Sequence, residues 1–247
     1  MKIIVTKDYA ALSQAVADFM VDFVKAKPDA ALVLPTGETP LGLYRELIAR
    51  HQGGTFDPSN LRIFQLDEYL GVAPTDEHSF YYWIQHAFLK PMAIPAEHLV
   101  GLAGDTNDPE AACRTYHEAV VAVGGLDLAL LGLGPNGHLG YNDPPADAAT
   151  PTRVLDLSES SLQGSARHFG GLDRVPRQAL TCGMDLLLGA KQKLLMVAGA
   201  HKREILRQTL EGPVTPQVPS SYLQQAENVI LIVDEAAAGP ELTKKFG

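Results

Sequence analysis

The chain has 247 residues, 46% hydrophobic and 20% charged, a composition that buries a sizeable core and excludes a disordered chain. A net charge of −9 argues against nucleic acid or an anionic membrane surface as partner, so an anionic ligand must be held by a few local cations. Two cysteines, Cys113 and Cys182, build neither a disulfide framework nor a metal-ligand spacing and are expected to be small core residues.

The first apolar run, Ile3 to Val5, is too short for a signal-peptide core, and no later run approaches the roughly 18 residues that span a bilayer, so a cytoplasmic location is expected. KIIVT at 2–6 reads as a strand, followed by a helix with Tyr9, Leu12, Val16, Phe19 and Phe23 on one face. AALVLP at 30–35 is a second strand, with Leu43, Tyr44, Leu47 and Ile48 marking the next helix. The rhythm continues with LRIFQL at 61–66, helices near 79–89 and 109–123, and the strand LDLALLGLG at 126–134. KLLMVA at 193–198, a helix near 201–211 and NVILIVD at 228–234 complete it. Strands that are apolar throughout are buried on both faces. The expected fold is therefore α/β, a single domain over 1–247 with a Rossmann-like open parallel sheet and helices on both faces. Residues 135–180, rich in Pro, Gly and Ser, break the alternation. An amphipathic turn around Ser158 to Phe169 is what a mobile cover over a site would look like.

Ligands of open parallel sheets bind beyond the carboxyl ends of the strands, so the residues that follow the apolar runs are the ones to search. After the second strand, Thr36-Gly37-Glu38-Thr39-Pro40 leads into a helix; a small-residue turn there offers amides, hydroxyls and a helix dipole to a phosphate, or serves as an ordinary helix start. After LRIFQL comes Asp67-Glu68, and a lone carboxylate at a strand end can move a proton between adjacent sugar carbons. After LDLALLGLG, His138 lies among glycines, with Asn136 and Asp143 in reach to orient its ring. Gly132, Gly134 and Gly137 also satisfy a dinucleotide fingerprint, with Asp156 as its acid, but Pro135, Gly140, Pro144 and Pro145 deny it the helix that it must open. The other histidines form no metal-ligand set, so acid-base chemistry without metal or cofactor is expected. Arg167 in the lid and Lys202 after KLLMVA are the available cations, each equally an ordinary surface charge.

In order and spacing, LPTGETP at 34–40, LDEYLG at 66–71, GGLDLALLGLGPNGHLGYNDP at 124–144, SARHF at 165–169, VPRQALTCG at 175–183 and GAHK at 199–202 resemble the glucosamine-6-phosphate deaminase family. That family shares a wider group with 6-phosphogluconolactonase and galactosamine-6-phosphate isomerase. The resemblance implies Asp67 as the base between C2 and C1, His138 as the acid that opens the sugar ring, and Asn136 and Asp143 as its catalytic supports. It implies a phosphate clamp of Thr36, Gly37, Glu38, Thr39, Arg167 and Lys202, with a mobile lid at about 158–176. Where familiar members place Asp and Glu beside the histidine, this chain has Asn136 and Asp143, which alters the ring-opening relay in detail. Leu155 stands where allosteric members carry a lysine and the chain ends at Gly247, so no activation by an acetylated sugar phosphate is expected. The expected partner is a small amino-sugar phosphate, bound by a monomer or homo-oligomer. VPSSYL at 218–223 looks like the galactosamine subgroup, which keeps that sugar open. A lactonase would carry Asp-Gly-His-Thr at 136–139, and a non-catalytic sugar-phosphate regulator would need neither Asp67 nor His138.

Overall fold

Alternate residues of the 31–34 run go to opposite sides of one sheet: Ala31 and Val33 join one apolar cluster, Leu32 and Leu34 the other, and all four are buried. The computed structural model describes residues 1–246. Its first half runs β1 (Lys2–Thr6), α1 (Tyr9–Ala26), β2 (Ala31–Leu34), α2 (Leu41–Gln52), β3 (Arg62–Gln65), β4 (Asp67–Tyr69), α3 (Phe80–Ile84), β5 (Leu99–Val100), α4 (Pro109–Ala122) and β6 (Leu128–Gly132). The second half runs β7 (Arg153–Asp156), α5 (Glu159–Ser165), β8 (Gln178–Thr181), α6 (Met184–Gly189), β9 (Gln192–Val197), α7 (Arg203–Glu211), β10 (Val229–Asp234) and α8 (Glu235–Phe246).

Seven strands form a wholly parallel sheet in the order β1-β10-β9-β6-β2-β3-β5. The chain builds outward from β2 in one direction and from β6 in the other, so the order reverses between these neighbours and opens a crevice at their carboxyl ends. Helices cover both faces. Asp8 caps α1 through the Ala11 amide at 2.9 Å, and Asp108 caps α4 through the Ala111 amide at 2.9 Å, with Pro109 in the first turn. The buried stripe of α1 is Leu12, Val16, Ala17, Met20, Val21 and Val24; Phe19 and Phe23, expected on that face, are only partly buried at its flank. The helix expected at 79–89 is a short α3 that widens into a π-turn at Gln85–Leu89.

Residues 135–180 are more than a cover. β7 and β8 form an antiparallel sheet with β4 in the order β4-β8-β7, and Asp67 pairs with Thr181. Asp67 therefore opens a strand of this second sheet rather than standing on a loop. No helix of the described residues is long and apolar enough to cross a membrane.

Candidate active site

A cavity of about 740 Å³ opens over the carboxyl ends of β9, β6, β2 and β3. Thr36, Gly37, Glu38 and Thr39 line one side, and Asp67, His138, Arg167 and Lys202 line the rest. Asn136 and Asp143 do not reach the cavity wall; they stand behind His138, which makes them supports rather than groups that touch a ligand.

The 36–40 turn is held from outside by α1. The Tyr9 hydroxyl shares its proton between the carbonyls of Glu38 at 3.1 Å and Thr39 at 2.9 Å and accepts the Gly42 amide at 2.8 Å. Tyr44 on α2 donates to Pro35 O at 2.7 Å and fixes the entry to the turn. The amides of Leu41 and Gly42 at the start of α2 are thus taken up within the protein, Leu41 donating to Glu38 O. The amides of Thr36, Gly37, Glu38 and Thr39, by contrast, donate to no protein acceptor among the described residues. The loop itself, rather than the helix end, offers free donors to the cavity, and Gly37 permits its shape at a φ of 92°.

Asp67 follows Gln65, whose side chain bridges three segments: Nε2 donates to Asp67 O at 2.7 Å and Glu68 Oε2 at 2.9 Å, while Oε1 accepts the Leu102 amide at 3.0 Å. Tyr116 fixes Gln65 O at 2.6 Å. The Asp67 backbone is clamped, yet no donor among the described residues reaches its carboxylate. Burial, with the adjacent Glu68 charge second, pushes the Asp67 pKa up to about 8. Glu68 next to it has the opposite environment. Its carboxylate, 1% exposed, accepts from Gln65, the Ser79 hydroxyl at 2.6 Å and the amides of Tyr69, Phe80 and Tyr81 at 2.9, 3.1 and 3.0 Å. Glu68 anchors the start of α3 and does no chemistry. Glu68→Gln would turn one acceptor into a donor among these donors, and urea unfolding is expected to show about 2–4 kcal/mol of lost stability.

His138 sits with its ring against the backbone of Gly134, where any Cβ would overlap the imidazole. Its Nδ1 is 2.7 Å from Asp143 Oδ1, so a carboxylate at Asp143 holds the proton on Nδ1 and leaves Nε2 for a ligand. Asn136 spans the pair, donating from Nδ2 to Asp143 Oδ1 at 2.9 Å and accepting the His138 amide at 3.2 Å. Burial raises the Asp143 pKa, but hydrogen bonds from His138, Asn136 and Ser161 outweigh it and hold the carboxyl well below the usual range. No helix opens between β6 and α5, which removes the dinucleotide reading, and Asp156 ends in an exposed hydrogen bond with Gln178.

Lys202, in a 3₁₀ turn at the start of α7, is half-buried; burial alone lowers its pKa, with no carboxylate beside it. Arg167 follows α5 and meets Glu38 at 3.9 Å across the mouth, both side chains almost fully exposed, a contact of little energy that a ligand anion can replace. The sequence reading missed the roles of Tyr9 and Glu68 and two serines on α5. Ser165 accepts Tyr69 OH at 2.8 Å, and Tyr141 OH donates to Tyr69 OH at 2.7 Å. These side chains line the cavity with Phe80 and Trp83. An i, i+4 serine pair on the amphipathic 158–169 segment was the available signal. The VPSSYL segment lies outside the cavity wall: Pro219–Gln224 forms a 3₁₀ turn whose Ser220 amide supports Gly137 O at 2.8 Å from behind. Among the described residues, no group of three or more His, Cys, Asp or Glu could hold a metal ion.

Residues 7–232 match the family model of glucosamine-6-phosphate isomerases/6-phosphogluconolactonase. The chain is 37% identical to a glucosamine-6-phosphate deaminase of Thermoanaerobacter sp. (strain X514), over 96% of this chain and 94% of that one. It is 38% identical to glucosamine-6-phosphate deaminase 2 of Bacillus subtilis (strain 168), over 96% of each. The solved structure of a monomeric glucosamine-6-phosphate deaminase superposes with a TM-score of 0.94 at 37% identity, over 96% of this chain and 99% of that one. A 6-phosphogluconolactonase from Trypanosoma brucei, at 20% identity and a TM-score of 0.78 over 96% of this chain and 97% of that one, shares the fold.

Proposed function

Because the chain belongs to the family of glucosamine-6-phosphate isomerases and 6-phosphogluconolactonases, we propose that it converts glucosamine 6-phosphate and water to fructose 6-phosphate and ammonia. The observation that carries this reading is the division of labour in one cavity. A carboxylate without donors, poised at about 8, faces it together with a histidine whose Nδ1 is locked by a second, strongly acidic carboxyl. Such a pair suits proton transfer at two different atoms of one substrate.

In this reading the free amides and hydroxyls of the 36–39 loop, with Lys202 and Arg167, hold the phosphate. His138 delivers a proton to the ring oxygen and the pyranose opens. Asp67 then takes the C2 proton, which the C1 aldehyde released by ring opening makes acidic, and returns it to C1. The enolamine becomes a ketimine, and water at C2 displaces ammonia. The remote phosphate supplies orientation, so its loss should appear mainly in binding. Lys202→Ala is expected to raise KM by about ten- to a hundredfold with kcat within about threefold of wild type; an unchanged KM would place the phosphate elsewhere. Residues 158–176 act as the lid, as their Arg167–Glu38 contact across the mouth supports.

The test is to give the purified protein glucosamine 6-phosphate, galactosamine 6-phosphate and 6-phosphogluconolactone and to follow ammonia and acid release. Ammonia from glucosamine 6-phosphate is expected. Acid release from the lactone alone would overturn the reading.

A further inference from the structure

Asp143 receives donors from two separate parts of the chain. From the histidine loop come His138 Nδ1 at 2.7 Å and Asn136 Nδ2 at 2.9 Å, both on Oδ1. From α5 and its cap come the Ser161 hydroxyl, 3.0 Å from Oδ1 and 2.8 Å from Oδ2, and the Ser158 amide, 3.2 Å from Oδ2. Oδ2 is therefore served by the α5 segment only. Ser161 and Asp143 are 4% and 7% exposed, so no bulk water substitutes freely for the missing donor.

We propose that Ser161 is a positioning residue for proton transfer at His138, so that α5 completes the acid as well as covering it; this rests on the function proposed above. A carboxylate has about four acceptor sites, and each donor disperses its charge. With Ser161 in place, Asp143 is turned so that Oδ1 meets Nδ1, and its pull on the imidazolium is moderated. Remove the hydroxyl and the undispersed charge stabilises the protonated ring, making His138 a poorer donor. If α5 lifts, the same loss follows, which ties the proton delivery to the docked segment. Arg153 on β7 faces Asp143 while donating to Asn142 Oδ1 at 2.6 Å, and Asp67, Lys202, Glu38, Arg167 and His168 share the cavity with His138.

The test is an NMR titration of the His138 imidazole in the ligand-free protein, which does not depend on turnover. Ser161→Ala is expected to move the midpoint up by about half to one pH unit, and Ser161→Thr, which keeps the hydroxyl, to restore it. Ser165→Ala loosens the same helix at its contact with Tyr69 and leaves the Asp143 donors intact, so its midpoint should stay at the wild-type value. An unmoved midpoint in Ser161→Ala, or an equal shift in Ser165→Ala, overturns the proposal. With glucosamine 6-phosphate, the His138 limb of the kcat/KM profile should move in step in Ser161→Ala. Absence of ammonia from the wild type would defeat the function proposed above, while the titration would still decide the role of Ser161.

Discussion

Replacing Asp67 with Asn is expected to lower kcat by about 10³-fold or more, with binding of a substrate-like phosphate retained, because the base is lost while the 36–39 cradle and Lys202 remain. Asp67 is also where pH dependence should be read. Its folded pKa of about 8 means that the active carboxylate accumulates as pH rises toward that value, so kcat/KM of the free enzyme should climb with pH up to about 8. The stability consequence has the opposite direction. The carboxyl keeps its proton in the fold up to about 8 but loses it near 3.8 when unfolded, so its contribution falls as pH rises between those values. Asp67→Asn removes that penalty. Allowing for water in the open cavity, the variant should be more stable than wild type by about 2 kcal/mol at pH 8 and similar to it near pH 4, as thermal or urea unfolding would record. An inactive but more stable protein is the signature of a charge kept in a poor environment for its chemistry. Equal activity would remove Asp67 from the role of base.

Asp143→Asn should be nearly as damaging to activity, by about 10²–10³-fold, for a different reason. Four groups donate to the two oxygens of Asp143, whereas an amide offers one oxygen and adds a donor of its own. If the amide nitrogen faces His138, the ring must present an unprotonated Nδ1 and move its proton to Nε2, the wrong form for taking up a further proton and passing it on. If the oxygen faces His138, the amide nitrogen meets Ser161 and the Ser158 amide, and α5 is displaced. A stability loss of about 2–4 kcal/mol at neutral pH is expected. Because the folded pKa of Asp143 is lowered, its stabilising contribution is present above 3.8 and is lost as pH falls below it through the folded value. The gap between variant and wild type should therefore close only under strongly acid conditions. A wild-type rate in this variant, with an intact fold, would show that His138 needs no oriented proton.

Six strands of the seven-stranded sheet were legible because their apolar runs have no polar face to confuse the reading, whereas β5, two residues long, left no run to read. LALLG and VILIVD bury residues on both sides, and the residues that follow β2, β3, β6 and β9 are the ones that meet in the cavity. The second sheet was not legible, for a physical reason. DEY, RVLD and QALT are three or four residues long, carry charged or polar ends, and take their stability from pairing with one another across long stretches of chain. That sheet fixes Asp67, so the residue was found while its rigidity was not. The contrast between Asp67 and Glu68 was hidden likewise: two adjacent acids look alike in sequence, and only the start of α3 folding onto one of them leaves the other bare. Asn136 and Asp143 could be grouped with His138 from their spacing, but their position behind the ring depends on the turn geometry that Gly134 allows. The 36–40 turn was legible as a source of free amides, but the hold that Tyr9 has on the helix end was not, since Tyr9 and Gly42 are 33 residues apart.

The most direct measurement of the central claim uses glucosamine 6-phosphate carrying deuterium at C2, with product analysis by NMR and ammonia measured in parallel. The expected result is fructose 6-phosphate and ammonia in equal amounts. Part of the deuterium should be carried to C1 and the rest lost to water, as a single base moving one proton between neighbouring carbons requires. Fructose 6-phosphate formed with all of the label released to water and none carried to C1, or no ammonia at all, would contradict it.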